Sequence, residues 1–210
     1  MPRILSDDDI RDFRARLCAA ALKRFVREGE AGISLRKLAE DLGVSATTPY
    51  RYFKDKDAIT AALRAEAFER FSEAMEQAFA ASAGQPALLR GRAVMQAYVD
   101  FVVAHPAAYR LMFDGTSQEI ADYPDLRRAS ARAKATMSRH FEAMVDEGTL
   151  PSETDAAMLG FVMWSQLHGA AMLHLAGKLS FEAMQRIIGE AARLLLRGAG
   201  LRIKIKAEAA

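Results

Sequence analysis

Residues 34–56 read SLRKLAEDLGVSATTPYRYFKDK and hold the residue types best suited to chemistry with a partner. Two short helical stretches flank Gly43, a residue that permits the sharp turn of a helix-turn-helix. Leu38, Ala39, Leu42, Val44 and Tyr50 are of the types that pack two such helices together, and the small Ala39 lets them approach closely. Ala46, Thr47, Thr48 and Arg51 then face outward, a small, polar and basic set that fits a nucleic-acid groove. Pro49 constrains the second helix. A start at Ser45 leaves Pro49 without the amide that the helix requires. A start at Thr48 makes Pro49 the first helical residue, where it fits, and this tightened start is favoured.

Other chemistry is sparsely provided. Trp164 and His168 in WSQLHG stand at i and i+4, on one face of a helix. Ser165 is near His168, but no acid partner completes a catalytic set. There is no nucleophile elbow, phosphate-binding glycine loop or metal-ligand spacing, so neither an enzyme nor a cofactor is expected. His105 ends a helix, and His140 and His174 give no argument for a metal. The single cysteine, Cys18, lies among Leu17, Ala19 and Ala20, the setting of a buried, inert thiol.

The elements that must position these residues are helical throughout. Six prolines and no alternating β-branched runs occur in 210 residues. Ser6 with Asp9 forms a capping box ahead of Ile10, Phe13, Leu17, Ala21 and Phe25, and Gly29 and Gly32 close that helix. Ser34 caps the next helix, and Asp55 caps a long fourth one with Ile59, Leu63, Ala67, Phe71, Met75 and Phe79 four residues apart. After a linker at Gly84 and Pro86, helices are expected up to His105, in short pieces to Tyr123, and from Pro124 to Gly148. The last of these carries Met137, Phe141 and Met144 on one face. A second capping box, Ser152 with Asp155, opens a helix ending at Gly177, and Ser180 caps the last one.

Composition agrees with a globular chain: 51% hydrophobic, 27% charged, net charge +2. Any nucleic-acid contact must therefore come from a local patch. Through Lys56 there are twelve Lys and Arg against nine Asp and Glu; the remainder holds seventeen against eighteen. The N-terminus lacks the apolar stretch of a secretory signal, so the cytoplasm is the expected compartment. Ala156–Gly177 is uncharged and long enough to span a bilayer, but it contains Ser165, Gln166, two histidines and three glycines. A core or subunit-interface helix is expected there, not a membrane span.

The 34–56 stretch resembles the DNA-binding signature of the TetR family, down to the ending Tyr50-Arg51-Tyr52-Phe53 followed by Lys56. The resemblance is strong over about residues 10–60. It implies an all-α fold: a three-helix DNA-binding domain at 1–55, a ligand-binding and dimerisation domain at 56–200 and a tail at 201–210. It also implies a homodimer on double-stranded operator DNA. Thr47 and Thr48 are then expected to reach base edges or phosphates, and Arg51 to contact a guanine. Tyr50, Tyr52 and Lys56 are expected on phosphates, with Arg36 and Ala46 also at the interface. Many relatives place Lys-Gly where Ala46-Thr47 stand, so one backbone-directed charge is missing here.

HPAAYRLMF at 105–113 and WSQLHG at 164–169 resemble a ligand-binding subclass of the same family marked by a Trp…His-Gly motif. The implied effector is a small apolar or aromatic molecule. Its expected surroundings are Met75, Phe79, Tyr98, Phe101, Tyr109, Met112, Phe113, Phe141, Met144, Trp164 and His168, with Met95 and Met163 of similar type. The last two helices are expected to form the dimer interface, through Met172, Leu175, Met184 and Ile188. Repression relieved by the effector is the favoured outcome. Activation by the same fold and a helical interaction module without DNA binding are the alternatives.

Overall fold

The computed structural model describes residues 6–114 and 117–201, and these residues are helical with no strand. The 201–210 tail expected from the sequence lies outside the described residues beyond Leu201. The α-helices are α1 (Asp7–Glu28), α2 (Leu35–Asp41), α3 (Lys56–Ala81), α4 (Ala87–Ala104), α5 (Pro106–Met112), α6 (Ser117–Asp122), α7 (Pro124–Asp146), α8 (Ala156–Leu175) and α9 (Phe181–Gly198). Short 3-10 turns cover Glu30–Gly32 and Pro49–Arg51.

The caps explain most boundaries. The Ser6 hydroxyl accepts from the Asp9 amide while the Asp9 carboxylate accepts from the Ser6 amide. The Asp55 carboxylate accepts from the Ala58 amide at 2.7 Å and starts α3. Ser180 accepts from the Ala183 amide and starts α9. Ser152 does not open α8 as expected. Asp155 is itself the N-cap, accepting from the Met158 amide at 2.9 Å, and the Ser152 hydroxyl turns to Glu153.

The chain divides into two compact units, Met1–Phe68 with Ala107–Ser130, and Glu69–Pro106 with Ala131–Ala210. The first extends beyond the 1–55 segment because it takes in α5. Leu111 joins Leu17, Leu38, Phe53, Ile59 and Leu63 in its core. Helix α3 begins in the first unit and ends in the second, as does α7. The spacing-of-four residues of α3 are buried from Ile59 to Met75, whereas Phe79 is half-buried. A strict repeat of four advances about 40° per step on a helix of 3.6 residues per turn, so the stripe spirals away from its first face.

In the second unit, Arg132 on α7 pairs with Glu69 and Glu76 on α3, holding the Glu76 carboxyl below its ordinary range. The Glu147 carboxylate accepts from the Ala87 amide at 2.9 Å and so caps α4. Helices α7 and α8 meet at Gly160, where a β-carbon would come within 2.9 Å of the Met137 carbonyl. Helix α8 packs on α9. By length and composition α8 is apolar enough to cross a membrane, yet only a third of its apolar window is buried within the chain.

Candidate functional site

The first unit presents its functional candidates on a turn built by two local devices. Helix α2 ends in a Schellman motif: the Gly43 amide donates to the Glu40 carbonyl and the Val44 amide to the Ala39 carbonyl. Gly43 holds φ at 64°, the left-handed region that glycine enters without steric cost. The chain then tightens. The Thr48 amide donates to Ser45, Arg51 to Thr48 and Tyr52 to Pro49, all three residues back. The expected second helix is therefore a 3-10 turn over Pro49–Arg51, with Pro49 at its first position. No α-helix starts at Ser45: Pro49 has no amide for the Ser45 carbonyl, which accepts from Thr48 in a tight turn, and Thr48 is the N-cap of the 3-10 turn that follows.

This tightening changes which residues face inward. Pro49 is buried, and Tyr50, expected to help pack the two helices, is 57% exposed. Ala46, Thr47 and Arg51 are exposed, and Thr48 is half-buried. The Thr47 and Ser45 hydroxyls are 3.0 Å apart. Tyr52 is held from α1: its ring lies 4.6 Å from that of Phe13, and its carbonyl accepts from Arg14 at 2.6 Å. Arg14 also stacks on Phe53 at 4.2 Å. Lys56, in the first turn of α3, pairs with Glu30 at 3.1 Å. Arg36 sits exposed on α2, 3.6 Å from Glu40.

Ion pairs join α2 to α1 in the same unit. Arg24 donates to both Asp41 oxygens, at 2.6 and 2.8 Å, and Lys37 reaches Glu28 at 3.4 Å. The Arg24 hydrogen bonds hold the Asp41 carboxyl below its ordinary range. Neither the Arg24–Asp41 pair nor the acidic partner of Lys56 is singled out by the sequence. Both are contacts between elements, which local spacing does not encode.

The second unit contains a cavity of about 490 Å³ between α4, α7, α8 and α9. Of the residues expected around an effector, Phe141 and Met144 line it, together with Met95 and Met163. Met75, Tyr98 and Phe101 are buried instead in the core of the same unit, where Phe71 packs against Tyr98 at 5.4 Å and Phe101 at 5.3 Å. Phe79 lies under the Arg90 guanidinium at 3.5 Å. Tyr109, Met112 and Phe113 belong to the first unit, where Tyr109 packs against Phe113 at 5.1 Å. Trp164 stands between Phe161 and His168, with ring separations of 5.5 and 5.7 Å, and burial pushes the His168 imidazole below its ordinary pKa.

His140 also lines the cavity. The sequence passed it over, although its spacing of three from Met137 and four from Met144 puts it on the same face. It is 5% exposed, its Nδ1 has no hydrogen-bond partner, and burial pushes its pKa down to about 4.

Met184 and Ile188, expected at a dimer interface, are buried in their own chain at 0% and 5% exposure, and Met172 and Leu175 are half-buried. Helix α9 turns that face onto its own unit and presents Ile187 and Leu194 outward, while α8 presents Met158, Phe161 and Leu173.

Comparison with known proteins gives a consistent result. Residues 17–63 match the model of "Bacterial regulatory proteins, tetR family". Residues 91–198 match "Tetracyclin repressor-like, C-terminal domain". An HTH-type transcriptional regulator of Mycobacterium tuberculosis is 22% identical over 190 residues, covering 78% of this chain and 81% of that protein. A Rhodococcus protein of unknown function superposes with TM-score 0.76 at 26% identity, over 95% of this chain and 98% of that one. The fatty acid degradation regulator FadR of Bacillus halodurans superposes with TM-score 0.72 at 13% identity, over 95% and 100%.

Proposed function

This chain belongs to the TetR family of bacterial helix-turn-helix transcriptional regulators, and from that premise we propose that it is a homodimeric repressor released from its operator by a small apolar effector. The observation that carries the DNA-binding surface is the turn at 46–51. Pro49 is buried within it, and Thr47, Tyr50 and Arg51 are each exposed a few residues ahead of the start of α3. Arg51 supplies the bidentate contact to a guanine. Lys56, at a helix N-terminus, suits a backbone phosphate once it exchanges Glu30 for it.

Dimerisation is supported by the outward apolar side chains of α8 and α9, with Phe161 and Leu194 more than half exposed. Several exposed apolar side chains on a packed helix pair favour a self-complementary two-fold interface. The 490 Å³ cavity in the same unit falls in the size range of small-molecule sites. Functionally, we divide the chain into DNA-binding residues 1–55 and effector and dimer residues 56–200. Helices α3 and α7, each continuous through both compact units, are the elements able to carry a signal between them.

The test is selection of an operator from random duplexes, followed by anisotropy titrations at several salt concentrations. A regulator of this kind binds one sequence far more tightly than scrambled DNA and loses affinity steeply with salt. Equal, weak affinity for all duplexes would overturn the reading. Effector control has its own measurement. By linkage, operator DNA must weaken effector binding by the factor with which effector weakens operator binding.

A further inference from the structure

One side chain at the cavity wall carries a polar atom with no hydrogen-bond partner in the fold. His140 sits on α7 among Met95, Phe141, Met144 and Met163, and its Nδ1 is buried without a hydrogen-bond partner. Its place is made by Gly91 on α4, where a β-carbon would come within 2.8 Å of the His140 Cδ2. Buried polar groups in folded proteins are almost always satisfied, and an exception at a cavity wall points to a partner that enters the cavity.

The chemistry of the ring selects the partner. Desolvation by burial keeps the imidazole uncharged at neutral pH. A neutral imidazole offers one donor and one acceptor and no charge. A carboxylate drawn to it would give up its hydration for a neutral ring between thioethers and a phenyl group. Arg92, Arg193 and Arg197 also line the cavity, but all three are exposed to water, and Arg193 is already paired with Glu190. An anionic group therefore has its favourable place at those arginines and not beside His140.

We propose that His140 is the specificity-determining residue of this cavity, and that the ligand is an uncharged apolar molecule whose hydroxyl or carbonyl group hydrogen-bonds the imidazole. This rests on the cavity being the effector site.

Three probes of one ring system separate the parts: naphthalene, 1-naphthol and 1-naphthoate, measured by equilibrium dialysis against the full chain and against His140→Phe. The expected result is that 1-naphthol binds the native chain about tenfold more tightly than naphthalene. 1-Naphthoate should bind more weakly than 1-naphthol. In His140→Phe the naphthol advantage should fall below about twofold while naphthalene affinity is kept. Equal binding of naphthol and naphthalene to the native chain overturns the role of His140, as does an advantage that survives in His140→Phe. Tightest binding by 1-naphthoate overturns it too, moving recognition to the arginines. Binding of none of the three overturns the effector reading of the cavity itself. A measurement on the native chain removes dependence on the variant's folding. The His140 ring nitrogens, followed by 15N chemical shift, should move with 1-naphthol and stay in place with naphthalene; no difference between the two probes overturns the hydrogen bond.

Discussion

Pro49, Tyr50 and Arg51 show how one residue's covalent limits redirect its neighbours. Pro49 has no amide to give, so the segment closes with bonds three residues back, and a 3-10 turn advances a residue by about 120° instead of 100°. Tyr50 is thereby turned out and Pro49 in. The exposure of Arg51 was legible from its type and place in the motif. The exchange of Tyr50 for Pro49 was not, because it depends on the helical class of a three-residue turn. Arg51→Ala should cost about 1–3 kcal/mol of operator binding and relax specificity at one base pair, whereas Lys56→Ala should weaken operator and scrambled DNA alike. Anisotropy titrations of both variants on both duplexes check this. A second residue-scale expectation concerns pH. The His140 pKa falls from an ordinary 6.5 to about 4 in the folded chain. The unfolded chain therefore takes up the proton first as pH drops, so this stabilisation is complete above about 6.5 and is lost towards 4. The full effect is about 3 kcal/mol. Urea midpoints across that window should fall for the native chain and fall less for His140→Phe.

At the scale of elements, helix ends were the most readable feature. Ser6, Asp55 and Ser180 cap where their types and positions indicate, since a cap depends on residues two or three apart. Ser152 was misleading because Asp155, three residues on, is a stronger acceptor placed directly before the helix. The cavity was largely illegible: Phe141 and Met144 were recognised by type, but Gly91, Arg92, Arg193 and Arg197 come from different helices whose approach no periodicity specifies. Gly160 shows how tight such an approach is. Gly160→Ala must push α8 from the α7 backbone at Met137 and Ser138, and rigid backbone does not yield as a side chain does. Thermal or denaturant unfolding should show a loss of about 1–3 kcal/mol. An Ala variant of unchanged stability would mean that the two helices are not held this close.

At the scale of the molecule, α8 and α9 divide their apolar residues between two tasks. Met184, Ile188 and Leu167 fill the second unit, and Phe161, Leu173, Ile187 and Leu194 remain on its surface. The sequence marked both helices as interface elements, but hydrophobicity alone does not distinguish the inward stripe from the outward one. Ile188→Glu would bury a charge and unfold the chain. Leu194→Glu should instead leave the helical content unchanged and produce monomers in sedimentation velocity, with operator affinity reduced because one recognition turn is lost per complex. A Leu194→Glu chain that sediments as the unmodified chain does would place the proposed interface elsewhere.

The lone thiol makes the helix-turn-helix a timed device. Cys18 shares a core with Leu38 and Phe53, and burial pushes its pKa up to about 11. Only the thiolate reacts with a disulfide reagent, so the closed unit is protected twice, by access and by protonation. Every successful modification then counts one opening of the DNA-binding unit. The colour change with an aromatic disulfide should be far slower than for the denatured chain and accelerate in mild urea. Operator DNA that binds the closed form alone should slow it further, turning one sulfur atom into a stopwatch for the opening of the DNA-binding unit.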